Sequence, residues 1–263
     1  MRLRPVLVAL AVLALAAPQA AQAKPKPAPR PTSSGYDVSY PQCGGALPAG
    51  AQFGIVGVDG GKVRSANPCL AAEDAWARAV AAPPAYYLNT GNPGPRVSSF
   101  WPNGQTSPRA CATSYPANDS VECAYDYGWN NAQDSWTRAV NAGIPTPEAR
   151  TWWLDVETGN SWETLQYGQA ALYQGNDLAT LQGQRDLLKS KGVQTIGVYS
   201  TSYQWGQVVG SGGFDGAPVW YAGTGSLSTA QSHCGTSGFT GGTVTLVQFA
   251  NNGYDGDVSC PTV

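Results

Sequence analysis

From Gly35 onward, hydrophobic positions fall in short, almost unbroken runs, separated by Gly-, Ser- and Asn-rich stretches or by longer segments with helical spacing. The runs predict strands at Tyr36–Tyr40, Phe53–Val58, Ala85–Asn89, Thr151–Glu157, Thr195–Ser200, Pro218–Ala222 and Thr243–Ala250. Runs that are apolar from end to end suit parallel strands covered by helices. Helices are predicted at Leu70–Ala82, Asn130–Ala142, Tyr173–Lys191 and Ser226–Ser232. The third is the clearest, with Leu178, Leu181, Arg185 and Leu188 in helical register and Gly192 as a C-terminal stop.

Strand–helix alternation with right-handed crossovers predicts an α/β fold, an irregular TIM-like barrel. A doubly wound open sheet is the alternative. It is less favoured because no Gly-rich phosphate loop follows the first strand, and Gly60-Gly61-Lys62 lacks the spacing and Ser/Thr of a P-loop. The helices shorten after Ser200, so the last third of the barrel should be irregular. Thr90 to Tyr127 breaks the rhythm. Rich in Pro, Asn, Ser and Gly and carrying Cys111 and Cys123, it predicts a stapled loop forming one wall of a groove.

Ahead of this body lie basic Arg2 and Arg4, the apolar run Pro5–Ala17 and the small-x-small triplet Ala21-Gln22-Ala23. They predict a signal peptide over residues 1–23. The apolar run is shorter than the about 20 residues that span a bilayer, so no membrane association is expected after cleavage. Residues 24–34 alternate proline with basic residues and predict an extended linker, which leaves one domain over 35–263. Export to an oxidising compartment suits the six cysteines, expected to pair as Cys43–Cys69, Cys111–Cys123 and Cys234–Cys260. None has the Cys-x-x-Cys spacing of a zinc or redox site. The expected location is extracellular, with the basic linker available to anionic wall polymers, and the expected state is a monomer.

Charge narrows the chemistry. Five of the 15 basic residues precede Gly35, so 10 remain against 17 acidic ones. Such a body repels phosphate backbones, and nucleic acid is not an expected partner. His233 is the one histidine and adjoins Cys234 in a Gly/Ser-rich stretch, which reads as a loop residue without a catalytic role. No Gly-x-Ser-x-Gly elbow is present.

The candidate chemistry is acidic. In Trp152-Trp153-Leu154-Asp155-Val156-Glu157, alternation puts Trp153, Asp155 and Glu157 on one face of a strand. That face looks toward the barrel axis, with both acids at the C-terminal end, where barrel enzymes place catalysis. Two close, buried carboxyls divide acid and base roles, because both cannot ionise easily. The bland alternative is a loop cap at Asp155 and an ion pair at Glu157. Asp37 lies inside the first strand, where an acid is costly unless paired or functional. Barrel closure would bring Asp255 and Asp257 beside it. Such a cluster suits sugar chemistry first and calcium second, since the Asp-Gly-Asp run is too short for an EF-hand loop. Nine Trp and 13 Tyr against five Phe favour rings that stack on sugars and hydrogen-bond hydroxyls. Tyr87, Trp153, Tyr199 and Trp220 fall in predicted strands.

These pieces, in order, resemble glycoside hydrolase family 25, the secreted muramidases called Chalaropsis-type lysozymes. The resemblance rests on Gly35-Tyr36-Asp37-Val38-Ser39, Phe53-Gly54-Ile55-Val56, Ala85-Tyr86-Tyr87 and Leu154-Asp155-Val156-Glu157. It continues in Ile196-Gly197-Val198-Tyr199-Ser200 with Trp205, Pro218-Val219-Trp220-Tyr221-Ala222, and Leu246-Val247-Gln248-Phe249 with Asp257. It implies a barrel of five β/α units plus three closing strands and cleavage of β-1,4 bonds in peptidoglycan, without cofactor or metal. By motif, Glu157 resembles the general acid/base and Asp155 the residue that steers the 2-acetamido group or stabilises the positive ring carbon. Asp37 and Asp257 resemble the flanking acids that position the sugar and tune Glu157. Gln248, with the aromatics above, falls among the expected sugar contacts. A covalent aspartyl intermediate and substrate assistance are both compatible with this pattern. The rival expectation is a non-catalytic glycan-binding protein on the same barrel; a calcium-dependent adhesion module comes third.

Overall fold

A computed structural model describes residues 32–251 and 253–261; the expected signal peptide and most of the expected linker lie outside them. Eight strands close in chain order into a barrel: β1 (Ser33–Val38), β2 (Gly54–Gly57), β3 (Ala85–Asn89), β4 (Trp152–Asp155), β5 (Ile196–Ser200), β6 (Val219–Thr224), β7 (Val244–Asn251) and β8 (Tyr254–Ser259). From β1 to β7 neighbours run parallel, while β8 closes the ring antiparallel to both β7 and β1. The helices are α1 (Leu70–Arg78), α2 (Val121–Asn141), α3 (Glu163–Tyr167), α4 (Ala170–Ser190), α5 (Ser202–Val208) and α6 (Leu227–His233). They follow β2 to β6, so five β/α units are completed by β7, β8 and β1. Among the described residues, no helix is long and apolar enough to cross a membrane.

The alternation in β4 divides the core into two layers. Trp152 and Leu154 point outward into the layer between barrel and helices, with Val56, Tyr86, Leu88, Leu181, Leu188 and Val198. Trp153 points inward, with Ile55, Trp220 and Leu246, and fills the barrel. A Cβ at Gly197 of β5 would collide with the Trp153 ring, so glycine there makes room for the indole. Helices α2 and α4 cross closely because Gly128 faces the Thr180 carbonyl and Gly183 faces the Tyr125 carbonyl, where neither position has space for a Cβ.

Several elements differ from expectation. Helix α2 begins at Val121 rather than Asn130, capped by Ser120, whose hydroxyl accepts from the Cys123 amide. Cysteine, glycine and tyrosine in its first turns obscure the helical period. Helix α1 ends at Arg78, short of Ala82. Strand β8 is absent from the expected strands because acids and a glycine fill it: Tyr254-Asp255-Gly256-Asp257. Strand β1 starts at Ser33 and ends at Val38, leaving Tyr40 exposed in a 3-10 turn. Short helices α3 and α5 were not expected. The disulfides are Cys43–Cys69, Cys111–Cys123 and Cys234–Cys260, the three couples read from the sequence.

Candidate active site

Strand register gathers the acids. Asn89 on β3 pairs with Asp155 on β4, Asp155 with Tyr199 on β5, and Tyr199 with Trp220 on β6. Across the closing seam, Asp37 lies opposite Asp255, and Gln248 opposite Asp257. Asp37, Tyr87, Asp155, Glu157, Tyr199, Trp220, Gln248 and Asp255 thereby line one pocket of about 210 Å³. It opens where the parallel strands end, the rim at which barrels carry their chemistry.

Hydrogen bonds fix the pocket walls. Gln248 donates from Nε2 to Asp37 Oδ2 at 3.1 Å and accepts from the Tyr199 hydroxyl at 2.8 Å, so its amide orientation is set from both ends. Asn89 Nδ2 donates to Asp155 Oδ2. The Asn89 amide in turn donates to Asp59 Oδ2 at 3.0 Å, and the Ser135 hydroxyl on α2 donates to the same carboxylate. Glu157 stands just past β4. Its carbonyl accepts from the Trp162 indole at 2.9 Å and from the Asn160 amide at 3.1 Å, which anchors the backbone beneath a half-buried carboxyl.

Burial dominates the electrostatics. Asp155 is 4% exposed, and its pKa rises well above the carboxylate range through desolvation and then the charge of Glu157. Glu157 is raised by desolvation and by Asp255, against a hydrogen bond from Asp155 that pulls it back. The charge of Glu157 thus favours the proton on Asp155, and the two carboxyls titrate together rather than independently. Asp37 is pushed up to about 7 by burial and by Asp255, with Gln248 opposing. Asp257 is fully buried behind Asp37 and receives the Trp220 indole N–H at 2.8 Å; desolvation and the Asp37 charge raise it well above the ordinary range. Among the described residues, no lysine or arginine forms an ion pair with any of these acids. Tyr87 and Tyr199, both raised by burial, remain neutral hydroxyls able to donate to an oxygen. Such a site holds protons at neutral pH and offers both acid and base.

The structure gathers Glu157, Asp155, Asp37, Tyr87, Tyr199, Trp220 and Gln248 around that pocket, with Asp257 directly behind. Trp153 is the exception and corrects the sequence reading: it faces the axis but lies deeper, edge-on to Trp220 at 5.8 Å. It lines a separate cavity of about 410 Å³ with Phe53, Ile55 and Leu246 at the opposite end of the barrel. Two residue positions along the strand decided this, because side chains sharing a face lie at different depths. Sequence reasoning missed Asn89 and Asp59. The signal for Asn89 was a polar residue ending an otherwise apolar strand; Asp59 followed such a strand in the same way. Asp255, expected beside Asp37 through barrel closure but not among the catalytic residues, lines the pocket itself. His233 ends α6 and stacks on Tyr221, away from the acids. Among the described residues, no group of three or more His, Cys, Asp and Glu side chains is arranged to hold a metal ion.

No family model matches this chain, and no curated protein matches it by sequence. Solved structures do match by fold. A family GH25 lysozyme from Aspergillus fumigatus superposes with a TM-score of 0.57 at 16% identity, covering 89% of this chain and 96% of that one. A bacterial lysozyme from Streptomyces coelicolor gives 0.57 at 17% identity, covering 88% and 93%. A muramidase from Trichobolus zukalii gives 0.52 at 18%, covering 88% and 95%. At this level of identity the likeness is one of architecture: the chain is built on the barrel found in GH25 lysozymes.

Proposed function

We propose that this protein is a secreted glycoside hydrolase that cleaves β-1,4 bonds in peptidoglycan by carboxylate acid/base catalysis. The observation that carries the proposal is the meeting of Asp37, Asp155, Glu157 and Asp255 in one pocket walled by Tyr87, Tyr199 and Trp220. In this reading a pyranose lies against the aromatic wall, and Tyr199 and Gln248 meet its hydroxyls. Glu157, the more accessible member of the pair, protonates the leaving glycosidic oxygen and then activates water. Asp155, deeper and held by Asn89, faces the reacting carbon or the 2-acetamido group. Its charge, once the proton has passed to the leaving group, stabilises the oxocarbenium-like ring. Asp37 lines the same pocket with Asp257 directly behind it, and charge on Asp37 favours the protonated form of Asp155.

The proposal draws support from the shared barrel of solved lysozymes at comparable length. The test is incubation of the full chain with purified peptidoglycan, followed by borohydride reduction and mass analysis of the fragments. New reducing ends on the muramic sugar support it. Binding to the polymer with no new reducing ends would make the protein a glycan-binding barrel instead.

A further inference from the structure

A second groove, of about 480 Å³, lies outside the acidic pocket between the loop after β2, the disulfide-stapled insertion after β3 and the flank of α2. Its cation is unusual in how tightly it is held. Arg64 adopts φ 63°, a left-handed conformation that a non-glycine residue rarely takes without a constraint. The constraint is a turn in which the Ser65 amide and hydroxyl both donate to the Lys62 carbonyl. Arg64 Nε donates to Asn131 Oδ1 at 2.8 Å, and the guanidinium lies 5.0 Å from the centroid of the Phe100 ring. The neighbouring acid, Asp134, is already paired with Arg138 at 2.6 Å. Among the described residues, Arg64 forms no ion pair and its terminal nitrogens donate to nothing.

We infer that this groove binds a carboxylate-bearing peptide, the peptide branch of peptidoglycan, with Arg64 taking the carboxylate. The inference rests on the proposed function, since that polymer carries short peptides with free carboxylates on its glycan. A pre-oriented guanidinium whose terminal edge is free suits bidentate recognition of such a group. A neutral sugar fits less well: one face of Phe100 is covered by Arg64, and phenylalanine offers no polar edge. Asn130 and Gln133 on α2, whose amide nitrogens already donate to Gln105 and Thr137, leave their amide oxygens to accept from a peptide backbone, and exposed Phe100 supplies an apolar contact. Both loops follow parallel strands, so the groove and the acidic pocket belong to the same end of the barrel.

The experiment is calorimetric titration of the full chain with a synthetic peptidoglycan stem tetrapeptide, and with the same peptide carrying amidated carboxylates. The expected results are saturable binding of the acidic peptide, weakened at least about tenfold both by amidation and by Arg64→Gln, with partial recovery in Arg64→Lys. The amidated peptide on the unaltered chain keeps the test decisive should Arg64→Gln melt early. Absence of saturable binding, or equal affinity for both peptides, overturns the inference. The titration needs no bond cleavage. Peptide binding without glycan hydrolysis overturns only the proposed function, and hydrolysis without peptide binding overturns only this groove.

Discussion

Asp59 offers a quantitative test of how burial shapes the floor of the site. It is 1% exposed, and desolvation lifts its pKa from 3.8 to about 7 despite hydrogen bonds from Ser135 and the Asn89 amide. A folded-state value above the unfolded one means that the native state holds the proton more firmly. The associated stability is complete below the unfolded value and is lost as pH rises through about 7. At ~1.36 kcal/mol per pH unit, the lift from 3.8 to about 7 corresponds to about 4 kcal/mol. Asparagine has the same shape, keeps an acceptor oxygen and does not titrate. The stability of Asp59→Asn relative to the unaltered protein should therefore increase by about 4 kcal/mol between acid and mildly alkaline pH. Urea unfolding at a series of pH values from about 3.5 to 8 measures this difference directly. Other buried acids contribute to both proteins and cancel. Parallel stability–pH curves for the two proteins would refute the reasoning, because Asp59 would then titrate alike in the folded and unfolded states.

Three further outcomes follow from packing and protonation. Trp153→Ala should destabilise the barrel by about 3–5 kcal/mol, since the indole is buried against Trp220 and nothing nearby can refill the space; denaturant midpoints report it. Gly128→Ala should cost about 3 kcal/mol by pushing α2 off α4 at the Thr180 carbonyl, read as a lowered melting temperature with little change in KM. In the pH dependence of kcat/KM on peptidoglycan, activity should fall as pH rises through the raised pKa of the Asp155–Glu157 pair. That limb must lie above the 4.5 of an ordinary glutamate; a limb at or below it contradicts the jointly titrating pair.

Much of this architecture was legible in the chain because burial leaves a periodic imprint. Seven of the strands followed from apolar runs, and the inward and outward faces of β4 followed from alternation, as Trp152 and Trp153 show. Asp37, Asp155 and Glu157 stood out because acids within or at the ends of apolar strands are costly without a task. What failed was what periodicity does not encode. Strand β8 is held by pairing with β1 and β7 rather than by an apolar run of its own, so its acids read as a loop. Trp153 shares a face with Asp155 but not its depth. Asn89 acquires its role only through register with Asp155, and Asp59 only through Ser135 on a helix far along the chain.

The central claim is that Glu157 moves a proton to and from the scissile oxygen. The most direct measurement is the rate of reducing-end release from purified peptidoglycan by the unaltered protein and by Glu157→Gln, with matched circular dichroism and melting curves. The account predicts at least about a hundredfold loss in the variant, the usual range for removing a general acid/base, with binding to the polymer retained. Equal rates for two equally folded proteins would contradict it.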